Sequence, residues 1–488
     1  FSTPLLLQWL GDERFGAFRA ATDLLGYLLL FDMGIGGALC ALLIQAIQRS
    51  DPSEVGTVLA IGIRAYLKVL LWMVLGGVGL GFCVSRFVSV EGAIATELEI
   101  GFWLNLLCLI LIPLNVFQLL IDAEQRGYFK NIVLLIQSLL TSGLLLGFAW
   151  LKLGIPGQFL AILIGNFAFT LLVTWRGLQR YPNLISLILR PAKEHASSVQ
   201  NRLWQLNVPG LILHLAARIG LLSDNLFISF FLGPAAVVPF LITQRLAMLA
   251  QTQLESVTTS TWAALADLKA QGQDQRFNAR LLELTKAVMV MGLSIVIPIL
   301  AYNVHFISLW VGAERFAGWF VTIVIACNVL FRGVIHLWKW CFVGTGLTER
   351  LVKLSIVDAI VNVGVSFIAT QHLGVIGPLL GTLVSCLGIF SWWMPKLLNQ
   401  AFGTSPRLLY AAISRPLLVG VPYSAISIWI SINHTPFGWI GLIVEMMLTG
   451  GLYLVLSWYF VLNFNDRTVW KQRFMELLSK RRIQQAIH

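Results

Sequence analysis

The sequence predicts an all-α, polytopic membrane protein of about 14 transmembrane helices, the first of them truncated. They are expected to form two six-helix bundles in parallel repeat, followed by two C-terminal helices. Three observations predict this class. The 488 residues are 57% hydrophobic and only 12% charged, where soluble domains carry about 25% charged residues. Apolar runs of roughly 18 or more residues recur along the whole length, each long enough to cross a bilayer as a helix. A Leu-Gly turn near the start, Leu10-Gly11, has an echo at Leu232-Gly233. No long polar segment suggests a separate soluble domain.

Only about ten residues precede the Leu10-Gly11 turn, too few for a full crossing. They read as the end of a clipped first span, and no cleavable signal peptide is visible. The second span is expected over 15–47, the third over 55–84 and the fourth over 101–121. The fifth follows over 132–151 and the sixth over 158–175. A polar link, RGLQRYPNLISLILRPAKEHASSVQNR (176–202), is the best boundary between halves. Spans seven to twelve are expected over 204–231, 235–263, 282–302, 317–343, 352–370 and 376–398. Two more follow at 408–432 and 436–462. The expected domains are an N-terminal six-helix bundle (1–178), a cytoplasmic linker (179–203), a C-terminal six-helix bundle (204–400), two additional helices (401–463) and a basic tail (464–488). In that tail Trp470, Phe474, Leu477 and Leu478 share one helical stripe with basic residues beside it. This reads as an amphipathic helix on the anionic cytoplasmic leaflet, the alternative being a solvated helix without lipid contact.

Loop charges orient the chain. One set of links carries Arg49, Arg126 and Lys130, five cations from Arg176 to Arg202, Lys269, Arg276 and Arg280, Arg350 and Lys353, and the basic tail. The alternate links hold only Arg14, Arg86, Lys152 and Arg315, beside several carboxylates. The positive-inside rule puts the first set in the cytoplasm. Both termini are then cytoplasmic, as an even number of spans requires. The net charge of +11 is accordingly a matter of topology, not of nucleic-acid binding. All six cysteines lie within apolar runs and lack CxxC spacing. They read as small buried hydrophobes, neither disulfides nor metal ligands.

The echo is not confined to one turn. Phe18 falls on Phe240 and Leu24 on Leu246 at the same offset as Leu10 on Leu232, and Arg64 falls on Lys286. Gly127 before span five aligns with Gly346 before span eleven at a slightly smaller offset. Parallel repeats of this kind place a substrate site between halves. Leu10-Gly11, Phe15-Gly16 and Asp32-Met33-Gly34 resemble the N-terminal pattern of polysaccharide flippases, the O-antigen and exopolysaccharide transporters. Asp224-Asn225 with Leu232-Gly233 resembles the start of their second half. The superfamily concerned also contains multidrug exporters and the lipid II flippase. One departure stands out: the second-half turn has Pro234 and Pro239 and no Gly where Gly16 would fall. The resemblance implies alternating access between two bundles and an undecaprenyl-diphosphate-linked glycan as cargo.

Charges inside the membrane are the candidate site residues, because a central charge costs about 2.5–3.5 kcal/mol on insertion scales and must face a cavity or a partner. Arg64 and Lys68 share a face of span three. His214, Arg218 and Asn225 share a face of span seven, and Arg332, His336 and Lys339 one of span ten. Gln244, Gln251 and Glu255 form a stripe on span eight, with Arg245 beside it. A cationic cavity for diphosphate or anionic sugars fits these faces, since the arginine fork donates paired hydrogen bonds. The alternative is that the arginines snorkel or pair with Asp23, Asp32, Asp224 or Asp358. Asp32, Asp224 and Glu255 are candidates for coupling to protons or sodium, with helix capping or pairing as the structural alternative for Asp32 and Asp224. Arg19 and Asp23, one turn apart near the periplasmic mouth, are candidates for a gate.

The expected function is therefore secondary transport of a lipid-linked glycan, without cofactor or metal. A multidrug or cation exporter of the same superfamily is the alternative, and such an exporter should carry carboxylates where this chain carries arginine and lysine. A membrane polymerase or glycosyltransferase is less well supported. The extracytoplasmic links are short, and no DxD, Ser-His-Asp or Gly-rich phosphate motif stands in a plausible setting. Membrane lipids, a polysaccharide polymerase and a chain-length regulator are the expected partners.

Overall fold

A backbone in hydrocarbon must satisfy its N–H and C=O groups within its own segment, so apolar stretches fold as helices. In the computed structural model every regular element among the described residues, 2–29, 35–49, 52–125, 127–181, 184–189, 208–463 and 467–468, is a helix. Asp32, Arg126, most of the 179–203 linker, the tail beyond 468 and the side chain of His214 lie outside them.

In chain order the helices are α1 (Ser2–Leu10), α2 (Asp12–Leu28), α3 (Ile35–Gln48), α4 (Pro52–Gly81), α5 (Val84–Val88) and α6 (Gly92–Leu106). A 3-10 segment containing Pro113, Leu107–Leu114, joins α6 to α7 (Asn115–Ala123). Next come α8 (Gly127–Trp150), α9 (Gly154–Arg180), α10 (Leu184–Leu189) and α11 (Val208–Leu232). Past a short 3-10 turn, Pro234–Ala236, lie α12 (Val237–Thr243), α13 (Arg245–Ala270), α14 (Asp274–Trp310) and α15 (Trp319–Gly344). The remainder is α16 (Glu349–Leu373), α17 (Gly377–Ser385), α18 (Ser391–Phe402), α19 (Pro406–Asn433) and α20 (Gly438–Phe460). Among the described residues, 9 helices are long and apolar enough to cross a membrane, or up to 10 if the pair bent by 53° at Gln244 is one span. The chain is thus a polytopic α-helical membrane protein.

The turns recur with a fixed spacing. Gly11 and Gly233 have nearly the same backbone conformation, φ 82 and ψ 160 against φ 86 and ψ 160. Among the described residues, the three non-glycine residues with left-handed backbone, Ser89, Gln125 and Lys152, each have a left-handed glycine downstream: Gly312, Gly346 and Gly374. The offsets all lie between 221 and 223 residues. Helix ends keep the same spacing: α4 starts at Pro52 and α14 at Asp274, while α9 ends at Arg180 and α18 at Phe402. The echo of Gly346 is therefore Gln125, because Gln125 carries the left-handed turn, whereas Gly127 is already the first residue of α8.

Two compact units emerge from the packing: Phe1–Val238 with Ser355–Gly381, and Pro239–Leu354 with Thr382–His488. In the first, α11 lies along α2 and onto the α5 end, where the Ser229 hydroxyl donates to the Val88 carbonyl at 2.8 Å. Gly16 is what lets α2 reach the 234–236 turn. A Cβ there would lie 1.8 Å from the Pro234 carbonyl oxygen. The core of this unit runs through Leu28, Ile35, Leu39, Phe102 and Phe159. In the second unit α14 is the axis, and α13, α15, α19 and α20 all pack on it. Buried Trp338 on α15 donates its indole N–H to Thr285 of α14 at 3.0 Å.

Candidate functional site

Polar clusters interrupt the apolar packing, and three of those among the described residues bear on the site. The first joins α2 to α11. Asp23 and Asn225 stand 202 residues apart in sequence, yet the Asn225 amide donates to the Asp23 carboxylate at 2.5 Å. One turn further along α2, the Tyr27 hydroxyl donates to the Ile219 carbonyl at 3.3 Å and lies beside Ser223 and Asp224. Arg19 adds its charge to the field at Asp23. Asn225 is buried and its carbonyl oxygen has no hydrogen-bond partner among the described residues. Arg19 and Asp23, expected to pair along one helix, form no ion pair among the described residues; Asp23 instead takes a hydrogen bond from an amide on another helix.

The second cluster lies between α13 and α15. His336 accepts from the Trp340 indole N–H at Nε2, 3.1 Å away, so its proton sits on Nδ1. Nδ1 then donates to the Thr258 hydroxyl at 2.5 Å, and that hydroxyl donates to the Glu255 carbonyl at 2.8 Å. Trp340 stacks on Trp262 with ring centroids 5.8 Å apart. Glu255 takes a hydrogen bond from Gln251 at 2.7 Å, and its charge reaches His336 together with those of Lys339 and Arg332. The Lys339 ammonium lies 4.2 Å from the centre of the Phe390 ring, a cation–π contact. The i, i+4, i+7 stripe Arg332, His336 and Lys339 is half-buried throughout.

Sequence reasoning passed over the third cluster. A cavity of about 400 Å³ opens within the first unit, between α2, the 3-10 segment, α7, α8 and α9. Its polar lining is neutral: Asn105, Asn115, Gln118, Gln137, Asn166 and Thr170. Gln137 donates to Asn166 at 2.8 Å, Asn166 to the Cys108 sulfur at 3.8 Å, and Cys108 to Asn105 at 3.3 Å. Asn115 and Gln118 make no side-chain hydrogen bond among the described residues. The available signal was the amides themselves, each isolated in an apolar span where it needs a partner.

The remaining candidates are distributed over the two units. Arg64, Lys68 and Arg218 in the first unit and Arg245 in the second are exposed. Asp224 is half-buried in the first cluster. Asp32 and the His214 side chain fall outside the described residues. No group of three or more His, Cys, Asp or Glu side chains that could hold a metal occurs among the described residues.

No family model and no curated protein matches the chain. Solved structures do. Over 97% of this chain and 98% of the other, it is similar to the lipid II flippase MurJ in an inward closed conformation, with TM-score 0.67 and 13% identity. It is similar to an inward-facing multidrug resistance MATE family transporter of the MOP superfamily, with TM-score 0.66 and 16% identity over 82% of this chain and 94% of that one. The outward-facing conformation of such a transporter matches less closely, at TM-score 0.55 and 16% identity over 81% and 90%. At these identities the likeness is one of fold: this chain has the helical fold common to those transporters.

Proposed function

We propose that the chain is a secondary transporter that moves an undecaprenyl-diphosphate-linked oligosaccharide across the bacterial inner membrane by alternating access, and that it is not an enzyme. The observation that carries this is the set of exposed cations on membrane helices, Arg64, Lys68, Arg218 and Arg245, on a fold shared with a lipid II flippase along nearly the whole chain. Charges bared on spanning helices are tolerable where they face water, and a diphosphate supplies the counter-charge that like-charged arginines cannot give one another. A cation exporter would bare carboxylates at such positions, whereas Asp23, Asp224 and Glu255 are half-buried.

In this reading Arg64, Lys68, His214, Arg218, Arg245, Arg332, His336 and Lys339 form the charged part of the substrate path. Asp23, Asp32, Asp224 and Glu255 serve ion coupling by protons or sodium, and Arg19 with Asp23 the gate. The constant turn spacing supports two six-helix repeats, and with two added helices these make 14 spans with both termini in the cytoplasm. A polymerase and a chain-length regulator would act on the exported glycan. Arg218→Gln combined with Arg332→Gln is expected to abolish glycan export while the protein still reaches the membrane. Normal export by that double variant, measured against protein level, would sink the reading.

A further inference from the structure

We propose that the neutral cavity of the first unit is a carbohydrate subsite, which takes uncharged sugar hydroxyls while the charged residues take the diphosphate. The proposal deepens the transport reading and rests on it for the class of cargo, but the cavity's chemistry is independent of it. At about 400 Å³ the space lies within the range of ligand pockets, roughly 300–1,000 Å³. Its polar side chains are carboxamides and hydroxyls, each group offering donors and acceptors together. Sugar hydroxyls are likewise donors and acceptors, so the two sets match without any net charge. Phe169 adds an apolar ring to the same wall, suited to the C–H face of a pyranose.

The lining also excludes the competing ligands. Among the described residues, no carboxylate, lysine, arginine or histidine borders the cavity. A hard cation prefers carboxylate oxygens, and a diphosphate needs cationic donors. A wholly apolar ligand would leave Asn115 and Gln118 without partners in a membrane protein, which is costly.

The repeat spacing adds a separate argument. α7 ends at Ala123 and α15 at Gly344, and the left-handed turn residues that follow are Gln125 and Gly346. That local offset of 221 residues puts His336 and Lys339 where the first half has Asn115 and Gln118. α9 and α18 end 222 residues apart, which puts Gly388 and Trp392 where the first half has Asn166 and Thr170. The helical scaffold therefore does not itself require amides at these positions. One half carries neutral hydrogen-bonding groups, and the other carries one cation, Lys339, beside an imidazole, a glycine and an indole at the equivalent places. A cargo with a neutral glycan and an anionic linkage would use that asymmetry.

Cys108 on the cavity wall provides the probe. In purified protein whose other five cysteines are replaced by alanine, alkylation of Cys108 by N-ethylmaleimide is timed with and without glucose, galactose, rhamnose or N-acetylglucosamine. At least one of these neutral sugars is expected to slow alkylation, with pyrophosphate and tetraphenylphosphonium having no effect. Gln137→Leu and Thr170→Val, the latter close to isosteric, should each weaken the protection roughly tenfold, about the worth of one hydrogen bond. Arg332→Gln, outside this cavity, should leave it intact. If Cys108 does not react in the absence of sugar, the sugar-induced rise of the wild-type melting midpoint decides by the same criteria. The proposal is overturned if none of the four sugars protects, if pyrophosphate or the organic cation protects equally, or if both cavity variants keep full protection. Failure of the transport reading looks different: sugar protection would persist while no lipid-linked glycan is exported.

Discussion

Replacing Gly16 by alanine tests the close contact on which the first unit depends. The added Cβ would stand 1.8 Å from the Pro234 carbonyl oxygen and 2.6 Å from its carbon. A carbon and a carbonyl oxygen approach normally to about 3.3 Å, so α2 or the 234–236 turn must retreat by roughly 1.5 Å. Both groups are main chain, and no rotamer change can relieve the clash. Overpacking costs about 1–3 kcal/mol, and a backbone clash belongs at the top of that range. Alanine's better helix propensity returns nearly 1 kcal/mol. The net loss is then about 2 kcal/mol, a fall of roughly 4–8 °C in melting midpoint on the scale of domains of 150–250 residues. Gly37→Ala is the internal control, because a Cβ there meets nothing within 4 Å and should hold or raise the midpoint. Both variants are melted in one detergent, with tryptophan fluorescence as readout. Equal midpoints for Gly16→Ala and the wild type, or equal falls in both variants, would refute the reasoning.

Other substitutions probe the remaining features. Lys152→Gly removes a side chain from a left-handed residue (φ 57) whose downstream counterpart is Gly374; the midpoint should rise by the equivalent of about 1 kcal/mol. Thr285→Val strands the buried indole N–H of Trp338, at a cost of about 1–3 kcal/mol in thermal or denaturant melting. Asp23→Asn keeps the shape beside Asn225 and removes the charge. Transport in vesicles should then lose its dependence on the ion gradient, and an unchanged dependence would exclude Asp23 from coupling.

The polytopic helical class was legible because its signals are periodic. Apolar runs announced the helices, and the Leu10-Gly11 and Leu232-Gly233 pairs marked the recurring turn, since only glycine adopts that positive φ without cost. The departure at Pro234 acquires a physical reason in the fold. Gly16 is small because the Pro234 carbonyl sits against it, so no glycine is needed at the equivalent place downstream. Asp23 was legible as a charge within a span, but its amide partner was not, because Asn225 lies on a helix 202 residues away. The Thr258–His336–Trp340 chain was hidden for the same reason: its members sit on α13 and α15.

The neutral cavity marks the boundary most clearly. Asn105, Asn115, Gln118, Gln137 and Asn166 are single polar residues in apolar helices, with no charge and no motif to tie them together. Composition, helical periodicity, loop charge and the repeat are properties of the chain taken in order, and the sequence by itself determined them. Which amides converge on one space, which carboxylate meets which amide, and where a glycine admits a neighbouring carbonyl depend on contacts between helices far apart in sequence. Those contacts follow from packing in three dimensions, so only the tertiary structure decided them.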